Sequence, residues 1–580
     1  MHCCQIGSLH PGTSVLLNPR QCHSSPKSSK QWHLCPRRLN SRAHTGGTVH
    51  QQAIPAKEHN PVQTHNDCSE TLLPPPLGIP TIIMAQPQQH GQHRPEQDPI
   101  YHRHLGSLSP SGPFQPPEHQ QQPPLLPPQP ALVVFSGGTA FNSVAGELQQ
   151  LTTRVAHVMP VSDDGGSTAE IVRVLGGPAV GDIRSRCIRL ADSSDEEAEA
   201  VKTLLAHRLS SDDPQAAMHE WYSILDGQHP LWDGVSEPYK QVIRSLLTHF
   251  EKKRKKIGNK NSKRKGGHVN SSALDGFNFQ NGSIGNFFFA GSRTFFGSLE
   301  AAIFQFSRVA RIPEGSLVVP AIRTEERIRL GAELEDGTII KGQNQISHPS
   351  VIGSNTVVKG QESHPPLPSP LRRVFYLSSG GGQSHEREVL PRANPRAVSE
   401  LEKADAIIYG MGSLYTSICP IVCLEGMGEA IASRPVPKVL LLNGSQDRET
   451  SRAGTHKGPM TASDVVQAVC DASNRKNSRR GLRRLSHPPS AYVTGLLVPR
   501  SGEIQVDLEA LHAMGVRHVV EVPSITSDSG SVLFHPTSLV TSIHTILELL
   551  LSSGHGGNGA HAHTGALGQQ QEHTGVLIRK

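Results

Sequence analysis

The chain has 580 residues, a formal net charge of +6 and a hydrophobic content of 36%. No apolar run reaches the roughly 18 residues of a membrane-spanning helix, so the sequence predicts no membrane segment. Residues 1–130 are rich in Pro, Gln, His and Ser and cannot bury enough apolar surface to form a fold, which predicts a disordered tail before a folded body over 131–552.

The N-terminal tail carries seven basic residues before its first acid, Glu58. This Arg/Ser-rich start resembles an organelle transit peptide, whereas a plain disordered tail or initiation at Met84 explains it equally well. A plastid or mitochondrial location and a cytoplasmic one are therefore both left open. Five of the nine cysteines lie in this tail, without the spacing of a zinc module or a disulfide framework. That distribution favours a reduced compartment and disfavours a metal site in the tail.

The folded body opens with two repeats of strand, polar turn and helix. An apolar strand over 131–135 runs into Ser136–Thr139, and a second over 155–161 runs into Ser162–Thr168. Ser167 or Thr168 is expected to cap the helix after the second turn, and another helix is predicted over 181–190. Strands that alternate with helices in this way predict an α/β fold with a parallel sheet.

The middle of the body is predicted to be helical over 192–250 and then to enter a basic surface insertion at about 251–275. Nine of the fourteen residues from Lys252 to Lys265 are basic, which we interpret as a solvated loop. A nuclear signal and a contact with a phosphate backbone are alternatives. No aromatic residue interleaves with the lysines, so stacking on bases has no platform and nucleic acid is a disfavoured partner.

The second half of the body contains four kinds of signal. A buried helix is expected from Ser283 to Phe306, a hairpin over 327–341 around Asp336-Gly337, a loop at about 345–371 and a strand over 373–377. The α/β alternation then resumes. The remaining predicted elements are a strand over 406–409, the turn Gly410–Ser417, a helix near 425–432, a strand over 439–443, a helix over 464–472 capped by Ser463, strands near Tyr492 and over 519–522, a helix over 539–551 and a Gly/His/Gln-rich disordered tail over 553–580.

Three polar turns follow three predicted buried strands, and in an open parallel sheet such turns gather at the carboxyl edge, where ligands bind. Their glycines (Gly137, Gly138, Gly410 and Gly412) permit close approach of an anion, their hydroxyls (Ser136, Thr139, Ser413, Thr416 and Ser417) add donors, and Asp163 and Asp164 add two carboxylates. Each feature alone is equally consistent with ordinary turn chemistry. Together they predict a site for a phosphorylated ligand with a divalent cation.

A nicotinamide-dependent dehydrogenase is the alternative that the first turn raises. An acid does follow about 25 residues after that turn, as a ribose-binding acid would. The G-x-G-x-x-G fingerprint is missing, however, and the acids belong to a loop with its own glycines, Gly165 and Gly166. Hydride transfer is therefore disfavoured.

Taken in order, these motifs resemble the 2-phospho-L-lactate transferase (CofD) family and its YvcK-like relatives, the gluconeogenesis factors. The matching stretches are Ser136–Thr139, Asp163–Ser167, Gly181–Arg184, Gly285-Asn286, Glu335–Thr338, Gly412–Ser417 and Ala462–Asp464, and they cover roughly residues 131–545. The resemblance implies a Rossmann-like three-layer sandwich with a mostly parallel sheet. Ala140-Phe141 departs from the small residues that relatives usually carry after Gly-Gly-Thr.

The resemblance also implies a function and roles for particular residues. In the transferase branch, a nucleotide-activated phospholactate is attacked by a deazaflavin hydroxyl with the help of Mg²⁺, and a nucleoside monophosphate leaves. In the YvcK-like branch, proteins bind UDP-sugars and influence carbon metabolism without an assigned reaction. The phosphates would lie at Gly137–Thr139 and at the Gly410–Ser417 turn. Asp163 or Asp164 would hold Mg²⁺ or take the hydroxyl proton, Asn286 would contact the nucleotide or a phosphate, and Arg184 would offset the leaving-group charge.

We therefore expect a nucleotide-linked small-molecule ligand, Mg²⁺ as cofactor and transferase activity, with a non-catalytic UDP-sugar-binding regulator as the alternative. A homodimer is left open.

Overall fold

The computed structural model describes residues 127–162, 165–264, 277–348, 365–378, 386–452, 456–478, 483–528 and 530–553, and all of them belong to one unit of the chain, Pro113–Lys580. Residues 1–126 and 554–580 of the two predicted tails, residues 349–364 of the loop predicted at about 345–371, and the acids Asp163 and Asp164 lie outside the described residues. The loop prediction is wrong at its first residues, because 343–347 form a helix.

The strands, in chain order, are β1 (Leu132–Phe135), β2 (Val155–Met159), β3 (Ser316–Pro320), β4 (Arg329–Leu334), β5 (Ile339–Lys341), β6 (Leu371–Ser378), β7 (Arg387–Val389), β8 (Ala406–Tyr409), β9 (Lys438–Leu441), β10 (Gly495–Pro499), β11 (His518–Val522), β12 (Ser524–Thr526) and β13 (Val532–Phe534).

The helices are α1 (Asn142–Ala145), α2 (Leu148–Leu151), α3 (Gly166–Leu175), α4 (Gly181–Leu190), α5 (Glu196–Ala206), α6 (Pro214–Asp226), α7 (Glu237–Arg264), α8 (Ile284–Phe296), α9 (Leu299–Val309), α10 (Gln343–Ser347), α11 (Pro395–Lys403), α12 (Cys419–Val422), α13 (Met427–Ser433), α14 (Ala462–Ser473), α15 (Leu508–Ala513) and α16 (Pro536–Ser553). A π-helical turn at Leu414–Ile418 precedes α12, and 3₁₀ turns lie at Pro230–Trp232 and Pro489–Ala491.

The core of the fold is a seven-stranded sheet in the order β11-β10-β9-β8-β1-β2-β3, and every pairing in it is parallel. Every residue of β1, β2, β8, β9 and β10 is buried, because helices cover both faces of a parallel sheet. The predicted α/β sandwich is thus confirmed. No helix within the described ranges is long and apolar enough to cross a membrane.

The strand order changes direction between β1 and β8. From β1 the chain adds β2 and β3 on one side, and from β8 it adds β9, β10 and β11 on the other. At such a switch point the loops that follow the two central strands diverge and leave a crevice at the carboxyl edge. The sheet topology therefore places the turns after β1 and β8 side by side at the crevice.

A helical layer, α5 to α9, is inserted between β2 and β3. It packs around an aromatic cluster in which Trp221 lies 5.0 Å from Phe287 and 5.8 Å from Phe250, measured between ring centroids. Helices α7 and α8 approach very closely at Gly291, where a Cβ would lie 2.1 Å from the carbonyl oxygen of Leu246. Within this layer, the packing against α7 fixes the position of α8, whose first turn reaches the carboxyl edge of the sheet.

The prediction of a loop in the basic segment is wrong over 251–264, because these residues form the last turns of α7. Glu251 explains the helix, because its carboxylate binds Arg254 at 2.8 Å and Lys255 at 3.1 Å, spacings that place these side chains on one helix face. Arg254 is itself buried against the aromatic cluster, 5.1 Å from the centroid of Phe279. The run of basic residues in the sequence did not indicate that Glu251 and Phe279 would lie beside Arg254.

Three smaller predictions also need correction. The helix expected from Ser283 to Phe306 is two helices, because Gly297 adopts a φ of +68° and Ser298 caps α9. Thr461, not Ser463, caps α14 and forms a reciprocal pair with Asp464. Neither Ser167 nor Thr168 caps α3. The residue before the helix is Gly165, which has no side chain to cap it, and the hydroxyls of Ser167 and Thr168 lie near Asn286 instead.

A second sheet, in the order β5-β4-β6-β7, is antiparallel. The predicted hairpin is confirmed in β4 and β5, with Gly337 at φ +87° in the connecting turn. Helix α10 follows this hairpin and ends at Ser347. Strands β12 and β13 form a separate short hairpin.

Candidate functional site

The turns after β1 and β8 are in direct contact at the carboxyl edge. A Cβ at Gly137 would lie 2.6 Å from Ser417 Oγ, and a Cβ at Gly410 would lie 3.0 Å from Ser136 Cβ and 2.6 Å from the Phe141 ring. Only glycine fits at either position without displacing its neighbours. The structure therefore brings the two predicted glycine turns together into one surface.

Arg186 supports the first turn from below. Its guanidinium is fully buried and donates to the Gly137 carbonyl oxygen at 3.1 Å, to Ser136 Oγ at 3.2 Å and to Asn142 Oδ1 at 2.8 Å. The Ser136 hydroxyl thus lies beneath the turn, bound to Arg186, while Thr139 is exposed at its rim. Of the predicted hydroxyl donors in this turn, Thr139 is the one that faces solvent.

The fourth partner of Arg186 is His157 on β2. Nη1 of Arg186 lies 2.8 Å from His157 Nδ1, so the ring accepts there and is neutral. Burial, reinforced by the neighbouring Arg186 charge, holds the pKa of His157 well below its usual value. Burial likewise lowers the pKa of the Arg186 guanidinium to about 10, against the opposing effect of the Asp182 carboxylate. The centre of the sheet thus holds a positive charge under the turn.

The second turn is held from two sides. Asn443, after β9, accepts from the Gly412 N–H at 3.1 Å and donates to the Gly412 carbonyl oxygen at 2.9 Å. The Thr416 hydroxyl is buried and donates to the carboxylate of Glu449 at 2.6 Å. The predicted binding groups Gly412 N–H and Thr416 Oγ1 therefore have protein partners, whereas Ser413 and Ser417 are half-buried at the crevice.

On the other side of the crevice, beyond β2, the first turns of α3 and α8 are joined by Asn286. Its amide nitrogen donates to Ser167 Oγ at 3.0 Å and lies 3.3 Å from Thr168 Oγ1. Its carbonyl oxygen, Oδ1, is buried and has no hydrogen-bond partner among the described residues. Because buried acceptors are almost always satisfied, Asn286 Oδ1 points to a missing donor.

Arg184 lies against the same helix end. A Cβ at Gly285 would lie 2.9 Å from Arg184 Cγ, which places the arginine stem on the first turn of α8. Arg184 is 8% exposed, it forms no ion pair within the described ranges, and its Nε has no hydrogen-bond partner there. Burial, with repulsion from Arg208, lowers the pKa of this guanidinium to about 10. A buried charge with no counterion among the described residues favours the binding of an anion.

The candidate metal ligands Asp163 and Asp164 lie outside the described residues, in the loop that connects β2 with α3. Within the described ranges no group of three His, Cys, Asp or Glu side chains forms a metal site. One carboxylate does reach this edge: Asp182, at the start of α4, would touch a Cβ at Gly138, with Oδ1 at 2.4 Å. Carboxylate oxygens are ligands that Mg²⁺ accepts, so Asp182 is a candidate ligand for a cation at this edge.

Asn443, Glu449, Asp182 and Arg186 contribute to the site, although the sequence did not predict a role for them there. Asp182 offered a signal, because it belongs to the Gly181–Arg184 motif. Asn443 and Glu449 offered none, because each contacts a turn about 30 residues away whose register only the folded sheet sets.

Most of the folded body is similar to proteins of one family. The profile of the family "2-phospho-L-lactate transferase CofD" matches residues 132–524. An uncharacterized protein of Saccharomyces cerevisiae is 33% identical in an alignment of 433 positions that covers 65% of this chain and 91% of the yeast protein. The gluconeogenesis factor of Bacillus subtilis is 23% identical over 73% of this chain and 98% of its own length.

A crystal structure of a UPF0052-family protein from Bacillus halodurans matches with 21% identity and a TM-score of 0.46, covering 71% of this chain and 98% of the bacterial one.

Proposed function

Because the chain belongs to the CofD family, we propose that it binds a nucleotide diphosphate-linked small molecule at the carboxyl edge and transfers a phosphorus-containing group to a hydroxyl acceptor. The observation that carries this proposal is the buried Arg184 guanidinium, which lacks an ion-pair partner within the described ranges. A negatively charged ligand supplies the counterion, and the unpartnered Asn286 Oδ1 beside α8 accepts a hydrogen bond from the same ligand.

In this proposal the ligand's phosphates lie over the paired turns. Gly137 and Gly138 let the phosphate approach the backbone, and the hydroxyls of Thr139, Ser413 and Ser417 donate to its oxygens. Arg186, which donates to the Gly137 carbonyl oxygen at 3.1 Å from below, adds positive charge without reaching the ligand. Such fixed donors favour the transition state of phosphoryl transfer mainly by positioning and charge neutralisation.

A Mg²⁺ ion would be held by one of Asp163 and Asp164 together with Asp182 and would neutralise charge on the phosphates, while the other of the two acids would serve as the base. The acceptor hydroxyl oxygen forms the new bond to phosphorus, and the bond from phosphorus to the nucleoside monophosphate breaks. The hydroxyl proton passes to Asp163 or Asp164. Arg184 neutralises charge on the departing nucleotide.

The test is a transfer assay with nucleotide-activated phospholactate, a deazaflavin acceptor and Mg²⁺, read as release of the nucleoside monophosphate. We expect turnover by the wild type, a loss of at least about 100-fold in Asp163→Asn or Asp164→Asn, and full activity in Glu402→Gln, which changes an exposed acid in the last turn of α11, before β8 begins and so at the opposite, amino edge of the sheet. Absence of nucleotide release from the wild type with every divalent metal tested would exclude the transferase function for this donor.

A second candidate is a regulator that binds a UDP-sugar without turnover. It is favoured by the hydrogen bonds of the Thr416 hydroxyl and the Gly412 N–H to protein groups, because fewer donors remain for catalysis. Curated relatives such as the Bacillus subtilis protein carry the name gluconeogenesis factor. We expect millimolar UDP-sugar to raise the melting temperature, since a ligand that binds only the folded chain stabilises it. An unchanged melting temperature with every UDP-sugar would rule this candidate out.

A further inference from the structure

Glu449 joins the second turn to the antiparallel-sheet layer. Its carboxylate accepts from the Tyr415 N–H at 2.8 Å and from Thr416 Oγ1 at 2.6 Å on the turn. The same carboxylate accepts from Ser347 Oγ at 2.5 Å, at the end of α10. A single buried side chain, 2% exposed, thus fixes the π-helical turn after Ser413 and the helix that follows the β4–β5 hairpin.

Glu449 and Ser413 line the same cavity, which has a volume of about 540 Å³. The remaining wall comes from the loop after β9 and from the residues on either side of 349–364; it includes Ser347, His348, Pro365, Gln446, Asp447 and Arg448. The amide oxygen of Gln446 is buried there and has no hydrogen-bond partner among the described residues. The cavity therefore adjoins the second turn, and Glu449 contacts that turn from inside it.

The groups that face Glu449 come from every element around it. Asp447 and Arg448 lie on its own loop, Tyr415 and Cys419 on the turn and α12, and His348 beyond α10. Arg448 makes no salt bridge to Glu449 within the described ranges; its guanidinium donates to carbonyl oxygens of Gln345 and Pro365 at 2.9 and 2.7 Å. Burial and the Asp447 charge raise the pKa of Glu449 to about 7, against three stabilising hydrogen bonds.

We propose that Glu449 is a positioning residue that binds a proton when an anionic ligand occupies the second turn. The inference rests on the proposed function, because it needs a phosphate at that turn. A carboxylate and a phosphate beside the same cavity repel each other, so the bound anion favours the neutral carboxylic acid. Protonation also weakens the hydrogen bonds that the carboxylate accepts from the Thr416 and Ser347 hydroxyls, which lie 2.9 Å apart, so the turn and α10 are held less tightly to each other.

The experiment is a calorimetric titration with UDP-glucose at pH 6 and pH 8, in buffers of different ionisation enthalpy, because the diphosphate diester does not itself titrate in this range. We expect little proton uptake at pH 6, uptake approaching one proton at pH 8, and affinity weaker by about tenfold at pH 8. Glu449→Gln is expected to lose the uptake. The matched control His348→Gln, which removes the histidine of the same cavity, is expected to keep it.

A ligand-free measurement protects the test against a variant that fails to fold. Because the folded pKa of Glu449 lies above its usual value, the stability gained from its proton is complete at low pH and is lost as the pH rises through about 7. A carbon-13 carboxyl spectrum of the wild type should contain one glutamate that titrates near neutrality. Absence of UDP-glucose binding at both pH values counts against the proposed function. Binding without proton uptake, or a Glu449 signal that titrates at its ordinary pH, overturns the role of Glu449 alone.

Discussion

At the scale of single residues, the candidate site holds a buried positive charge that no side chain in the described part of the chain neutralises. Arg184 is buried without an ion pair in the described part of the chain, and such an arrangement costs folding free energy. We expect Arg184→Met, which keeps the length of the stem, to raise the free energy of unfolding by on the order of 1 kcal/mol. Arg189→Met, at an exposed position of the same helix, should leave it unchanged. Destabilisation of Arg184→Met in chemical denaturation would show that Arg184 is structural.

The buried pair of Arg186 and His157 makes a prediction about pH. Because the pKa of His157 is held well below its usual value, its contribution to stability is present above about pH 6.5 and is lost as the pH falls. The melting temperature of the wild type should therefore fall on acidification below that pH. His157→Gln, whose amide oxygen can still accept from Arg186, should show a flatter profile, whereas the exposed control His219→Gln should follow the wild type. Identical profiles for His157→Gln and the wild type would refute this assignment.

The two glycine turns could be predicted from the sequence, because glycine after a buried strand is a local signal. The partners of those turns could not. Ser136 appeared to be a ligand-binding hydroxyl, but Arg186, 50 residues away, reaches it from below. Thr416 appeared equally available to a ligand, but its hydroxyl donates a hydrogen bond to Glu449. Such side-chain hydrogen bonds depend on contacts between distant segments of the chain, which residue type and spacing do not predict.

At the scale of elements, the predictions succeeded where the signal was periodic or carried turn residues. Helix α4 and strand β8 have the predicted bounds, and the Asp336-Gly337 hairpin forms as expected. The basic end of α7 was mistaken for a loop because its many basic residues indicate a solvated segment, whereas Glu251 pairs with Arg254 and Lys255 along the helix. Strand β3 went unpredicted, although Pro313 and Gly315 mark a turn between α9 and its five residues.

The contact between α7 and α8 makes a prediction at this scale. A Cβ on residue 291 would lie 2.1 Å from the Leu246 carbonyl oxygen, so the two helices would have to separate. We expect Gly291→Ala to lower the free energy of unfolding by about 1–3 kcal/mol, as overpacking does in a filled core. Gly146→Ala is the matched control, because its nearest neighbour would be Arg189 Nε at 3.7 Å. Equal denaturation midpoints for the two variants would contradict the close packing.

At the scale of the whole molecule, the sheet order explains why residues from distant parts of the chain share one site. The change of direction in the strand order between β1 and β8 brings together turns that are about 270 residues apart. The contact between α4 and α8 brings Arg184 to the first turn of α8 at the same edge. The parallel sheet was predictable from the alternation of strands and helices. The strand order was not, because it depends on which crossovers pack best, and that is a property of the complete core.

The central claim is that an anionic, nucleotide diphosphate-linked ligand neutralises Arg184 at the crevice. Its most direct test is a calorimetric titration of the wild type, Arg184→Met and Arg189→Met with a panel of nucleotide diphosphate-linked sugars in the presence of Mg²⁺. The account predicts binding by the wild type and by Arg189→Met, and affinity at least about tenfold weaker for Arg184→Met, because a charge-assisted hydrogen bond is lost. Equal affinity of all three proteins, or no binding by the wild type, would contradict it.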